Sequence, residues 1–158
     1  MSGTLSLSNH QRARRIDLRQ LRWLLRDLLR DLLHAEDYDL SFHIVSAREM
    51  TRLNETHLRH AGSTDVITFD YSEGKSEVLA GEIFMCLEEA LIQAARFHTT
   101  WQSELVRYAV HGLLHLRGYD DTRPVARRQM KREENRLLKE LNRRFNLSKL
   151  ERKTRLPA

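Results

Sequence analysis

Apolar residues recur along this chain with two different periods, and each change of period marks an element. Thr4-Leu5-Ser6-Leu7 alternates polar and apolar, as a short strand with one buried face does. Over residues 16–33 the step lengthens to three and four. Leu18, Leu21, Leu25, Leu28 and Leu32 then share one helical stripe, with Arg15, Arg19, Arg22, Arg26 and Arg30 in a second row beside it. Alternation returns at residues 40–45, which puts Leu40, Phe42 and Ile44 on one face of a strand. Ser46 with Glu49 is a capping box, so a short helix starts there and runs through Met50 and Leu53 toward Leu58, until Ala61-Gly62-Ser63 breaks it. Residues 64–71 are β-branched and aromatic enough for a strand. Residues 73–77 supply a turn, and the continuous apolar run of 81–87 reads as a strand buried on both faces. Three helices follow: residues 88–97, residues 101–116 capped by Thr99 or Thr100, and one that opens at Pro124, carries Met130, Leu137, Leu138 and Leu141, and ends near Phe145.

The order β-α-β-α-β-β-α-α-α predicts an α+β fold, a small mixed four-stranded sheet packed with about five helices. Strands separated by a helix are expected to be parallel, and the pair joined by the 73–77 turn antiparallel. With 158 residues, no internal repeat and no Pro/Ser-rich linker, residues 1–148 read as a single domain. Residues 149–158 are basic and lack apolar periodicity, so they read as a frayed tail.

At 41% hydrophobic and 31% charged, the chain is too apolar for a disordered segment and too polar for a membrane protein. Its start lacks the charged and apolar blocks of a signal peptide. The single cysteine, Cys86, has no internal partner and sits in a strand, where packing suits it better than reactivity; with the rest, this fits the cytoplasm. A net charge of +5 and a pI near 9.7 suit a polyanionic partner such as nucleic acid. The arginine row reads first as a solvated face, partly neutralised by Asp27 and Asp31, and second as an RNA-facing stripe.

The helix of residues 101–116 changes the picture. His111 and His115 are four apart in an otherwise aliphatic run, so a helix stacks their imidazoles on one face. Gly118 can end that helix in the left-handed conformation and return the chain, bringing Asp121 beside them. Two imidazoles and a carboxylate suit zinc or another divalent transition metal with a position left open. The spacing is that of H-E-x-x-H-x-x-G-x-x-H proteases with Asp121 last. Gly112 stands where those proteases carry their general base, which disfavours peptide hydrolysis by that route. A structural zinc stays open, with Asp120 or a distant side chain as fourth ligand. The other six histidines lack paired spacing; His57 and His60 lie near Arg59, where a solvated role suits them best.

The stretch H-G-L-L-H-L-R-G-Y-D-D at 111–121 resembles the signature of the YbeY family of metal-dependent endoribonucleases, which act in ribosomal RNA maturation. Leu53-Asn54 with Ser63-Thr64-Asp65-Val66-Ile67-Thr68-Phe69 is similar to that family's L-N…P-T-D-V-L-S-F block. Gly81-Glu82-Ile83 is similar to its G-D-I, and Met130 with Glu134 to its M-x-x-x-E. The resemblance implies a single α+β domain and a zinc or other divalent ion on His111, His115 and Asp121, where histidine is the commoner third ligand. It implies cleavage of single-stranded rRNA, with the small subunit or ribosome-associated proteins as partners and no membrane. The nucleophile is either a metal-activated water or the RNA 2′-hydroxyl. The family also has an arginine soon after the L-N pair that acts on the phosphate; ungapped, that position is Leu58, and Arg59, one residue on, takes the role. A zinc peptidase-like hydrolase and a non-catalytic ribosome-binding factor with a structural zinc are the alternatives.

Overall fold

The computed structural model describes residues 3–59, 62–73 and 77–153. Its elements are strand β1 (Gly3–Asn9), helix α1 (Leu18–Asp27), strand β2 (Tyr38–Val45), helix α2 (Ala47–Leu53), strands β3 (Val66–Asp70) and β4 (Leu79–Cys86), and helices α3 (Leu87–Phe97), α4 (Trp101–Leu116) and α5 (Pro124–Arg144). The sheet order is β1-β2-β4-β3. β2 pairs parallel with both β1 and β4, whereas β3 pairs antiparallel with β4, as the connections predict.

Register aligns the apolar positions into rows: Leu5 beside Leu40, and Leu7 beside Phe42 beside Ile83. These rows share one core with Leu21, Leu24 and Leu25 of α1 and with α4. Twelve of the 16 residues of α4 are buried, which makes it the central helix of the layer above the sheet. It lies close on β4 because Gly112 has no side chain: a Cβ there would stand 2.8 Å from Ile83 Cδ1. The opposite face of the sheet is covered in part by α2, around Val45, Met50, Ile67 and Cys86.

Polar caps fix where helices begin. Asp17 accepts from the backbone of Arg19 and Gln20, Ser46 from Glu49, and Thr100 from Ser103. The first cap moves a boundary: α1 starts at Leu18 rather than Ile16, which instead bridges to Glu151. The tail differs from its expected fraying over 149–152. Leu147–Leu150 forms a 3₁₀ turn with Leu147 and Leu150 buried, and Leu150 O and Arg152 N hydrogen-bond Asp17 N and Arg15 O. One turn with two leucines is too short to show a period, so its docking left no pattern to read. Residues 154–158 lie outside the described residues, as do 74–76 of the expected turn. β4 alternates buried and half-buried positions rather than being buried on both faces, because α2 covers only part of the outer face.

Charges on α1 and on the helical turn Leu28–Leu32 that continues it follow the solvated reading where they are paired: Arg30 bridges Asp27 and Asp31, and Arg144 of α5 reaches the same two carboxylates. Among the described residues no helix is long and apolar enough to cross a membrane.

Candidate metal centre

Helix α4 ends in a Schellman motif. Tyr119 N donates to Leu114 O at 3.0 Å and Gly118 N to His115 O at 2.9 Å, with Gly118 at φ +97°. A side chain at that φ would be strained, so glycine permits the reversal that carries Asp121 back over the helix. The three side chains converge. His111 Nε2 and His115 Nε2 are 3.1 Å apart, and Asp121 Oδ2 is 3.5 Å from the first and 3.4 Å from the second. Ligand atoms held about 2.0–2.1 Å from a tetrahedral zinc stand roughly 3.3 Å from one another. The triangle therefore fits one first-row divalent ion with a face left open. Among the described residues these three form the only His/Cys/Asp/Glu group with ligand atoms this close.

The orientation of His111 is fixed from behind. Its Nδ1 is 2.9 Å from Glu134 Oε2, and Glu134 is only 5% exposed. The other oxygen of Glu134 accepts from Arg107 Nη1 at 3.0 Å, and Arg107 also donates to Asn135. A carboxylate on Nδ1 selects the tautomer with its proton there and leaves Nε2 free for a cation. Burial alone disfavours charge on both groups, yet their mutual hydrogen bond outweighs it, with Asp121 helping His111 and Arg107 helping Glu134. The His111 pKa is raised above its ordinary value and that of Glu134 is lowered.

The loop after Gly118 is anchored to α5, where Arg127 Nε donates to Asp121 O at 3.1 Å. Asp120 is a turn residue: its carboxylate takes the amide and hydroxyl of Thr122, whose hydrogen bonds hold its pKa down, and it does not join the three clustered side chains.

Two clefts meet at the triad, sharing Asp65, Val66, His111 and Asp121. One, of about 580 Å³, runs between α3, α4 and α5 past Arg107, Arg127 and Lys131 to Phe97. The other, of about 500 Å³, runs along β3 past Thr64, Thr68 and Leu58. Leu58 reaches this second cleft, while Arg59 is exposed, in left-handed backbone at φ +57°, and lines neither. His57 packs edge-on against Phe69, and His60 lies outside the described residues. Cys86 is buried, and desolvation pushes its thiol pKa up, in keeping with packing rather than reactivity.

Sequence reasoning named His111, His115 and Asp121 as candidate ligands but gave no role to Glu134 or Arg107. The signal was present: Glu134 falls on the same helical stripe as Met130, Leu137, Leu138 and Leu141, where an acidic residue needs a buried partner.

Residues 6–142 match the family model of endoribonuclease YbeY. The chain belongs to that family. A YbeY endoribonuclease of Salinibacter ruber is 32% identical over 141 residues, covering 85% of this chain and 89% of the relative. Another, of Parabacteroides distasonis, is 39% identical over 100 residues, covering 63% and 69%. A Thermotoga maritima protein of known solution structure superposes with a TM-score of 0.65 at 24% identity, covering 87% of this chain and 89% of that one, a likeness of fold alone. The α+β domain and the three-residue centre are thus in keeping with the YbeY fold.

Proposed function

We propose that this chain is a metal-dependent endoribonuclease that cuts single-stranded ribosomal RNA in small-subunit maturation and ribosome quality control. The observation that carries the reading is the triad of His111, His115 and Asp121, with ligand atoms 3.1–3.5 Å apart, in a chain of the YbeY family. Zinc is the ion we assign, since two imidazoles and a carboxylate suit it and the triangle has its dimensions. When bound, it supplies Lewis acidity toward a phosphoryl oxygen.

The protein's own groups do the rest. Glu134 keeps the His111 proton on Nδ1 and its ring in place. Asp121 brings negative charge to the ligand set, which makes its ion a weaker acid than three histidines would. Arg59 keeps the phosphate role on the family resemblance alone, since it is exposed next to Leu58 and lines neither cleft; a guanidinium is suited to charge that develops on phosphoryl oxygens. Gly112, in place of a glutamate, leaves no protease-type base beside His111. A net charge of +5 favours an RNA partner and, with it, ribosomal surroundings; a single buried cysteine suits the cytoplasm.

The test is to purify the protein with its native metal, quantify that metal, and assay single-stranded RNA cleavage by repurified wild type, His111→Ala and Asp121→Ala. Stoichiometric zinc with activity only in the wild type supports the reading. Variants that cut as well as wild type overturn it.

A further inference from the structure

The larger cleft ends in an unusual pairing of side chains. Phe97, at the end of α3, is 59% exposed although it is a large aromatic beside the metal centre. One side of it is approached by Arg96, whose guanidinium carbon lies 5.4 Å from the ring centroid. Across the cleft, Arg127 and Lys131 stand one turn apart on α5, both exposed. Arg127 uses Nε on the Asp121 carbonyl, which leaves its terminal nitrogens, and Lys131 Nζ is 4.0 Å from Glu134.

The acids lining the same cleft are largely engaged. Glu134 is bonded to His111 and Arg107, Glu104 accepts the Thr99 hydroxyl at 2.7 Å, and Asp65 accepts from Val66 N. Asp121 also lines the cleft, and the cations opposite the ring, Arg127 and Lys131, stand together on α5 and are both exposed. Tyr108, on the wall, has a buried hydroxyl with no hydrogen-bond partner among the described residues, a cost that a polar group of a bound molecule would offset. The β3 cleft differs: among the described residues that line it there is no lysine or arginine.

We propose that the cleft from His111 and Asp121 to Phe97 seats one nucleotide of the RNA strand, its base on the Phe97 ring and its phosphate against Arg127 and Lys131. This rests on the RNA reading above and adds a direction to it: the strand is gripped on the α5 side of the metal centre and only loosely on the β3 side. The volume of about 580 Å³ is in the range of roughly 300–1,000 Å³ usual for small-ligand sites. An aromatic face with flanking cations is the sequence-tolerant way to hold a single-stranded nucleotide.

The metal-loaded protein is titrated by calorimetry with 5′-AMP, 5′-CMP and adenosine, none of which contains an internucleotide bond to cut. Both nucleotides are expected to bind. Phe97→Ala should weaken AMP, CMP and adenosine alike by about tenfold, in line with the loss of one base–aromatic stack. The Arg127→Ala/Lys131→Ala pair should weaken AMP and CMP but leave adenosine unchanged, and Arg48→Ala, on the far side of the sheet, should change nothing. Phe97 is exposed, so its variant should keep the wild-type melting temperature, which is measured alongside. No nucleotide binding at millimolar concentration, or AMP binding indifferent to Phe97→Ala, overturns the seat even if RNA is cleaved. The expected binding pattern in a protein that cuts no RNA would retain the seat while the endoribonuclease reading fails.

Discussion

His111 is held at both ring nitrogens, and that fixes what each neighbouring substitution should do. Removing the Glu134 carboxylate leaves His111 Nδ1 without its acceptor and Arg107 with Asn135 alone. Glu134→Ala is expected to lower metal affinity by about 10–100-fold, the usual cost of losing such an outer partner, in competition with a chromophoric chelator. Glu134→Gln keeps an acceptor oxygen and should lose less. The pair also sets a pH window in the metal-free protein. The raised His111 pKa contributes stability below the ordinary histidine value near 6.5, lost as pH rises through the higher folded value. The lowered Glu134 pKa contributes above the ordinary value near 4.3, lost as pH falls through the lower folded one. The gap in melting temperature between metal-free wild type and Glu134→Gln should thus be widest from about pH 4.5 to 6.5 and narrow above it. A gap that keeps widening toward pH 8 would show that the pair is not charged as described. The convergence of the three candidate ligands was legible from spacing, because i, i+4 and a helix-ending glycine are local rules. Glu134 was not assigned a role, because its pairing with His111 spans 23 residues of sequence, and only the packing of α5 on α4 brings the two together.

At the scale of elements, the site depends on how close α4 lies to β4. An alanine at 112 would put its Cβ within 3.0 Å of three Ile83 side-chain atoms, and Ile83 is fully buried and β-branched, with little room to turn away. Gly112→Ala should cost about 1–3 kcal/mol by overpacking, or roughly 2–12 °C in melting temperature for a domain of this size. Adding Ile83→Val removes the nearest methyl, Cδ1, and should restore part of the loss; a double mutant no more stable than Gly112→Ala would place the strain elsewhere. The sequence supports Gly112 as a gap in the helix surface but cannot say what fills it. The elements themselves were readable because each has its own period and cap: alternation for β2, the Ser46 and Thr100 caps for α2 and α4. What failed were ends decided by contacts far away. Ile16 opens the stretch read as helical, but it lies off the leucine stripe and pairs with Glu151, and Asp17 begins the helix after it.

At the scale of the whole molecule, the C-terminal turn closes the core, and charge chooses the partner. Leu147 and Leu150 are 7% and 2% exposed, and backbone hydrogen bonds of Leu150 and Arg152 tie the turn to the segment before α1. A chain ending at Asn146 should lose about 3–6 kcal/mol of stability, from roughly 1.5–3 kcal/mol for each buried leucine, read as a lower urea midpoint. Charge acts over a longer range. Arg30, Arg136, Arg143 and Arg144 are paired with neighbouring carboxylates, so they offer a polyanion less than the net +5 suggests. Arg127 and Lys131 flank the cleft instead. If single-stranded RNA is held by about three phosphate contacts, at a slope of about 0.7 per contact, kcat/KM under subsaturating conditions should fall roughly 20-fold between 50 and 200 mM salt. Lys131→Ala should flatten that slope by about 0.7, the share of one contact, whereas Arg144→Ala should leave it as it is because Asp27 and Asp31 already hold that guanidinium. A salt response that is flat in the wild type, or equally flattened by both variants, would mean that the cations beside the metal centre do not hold the RNA backbone.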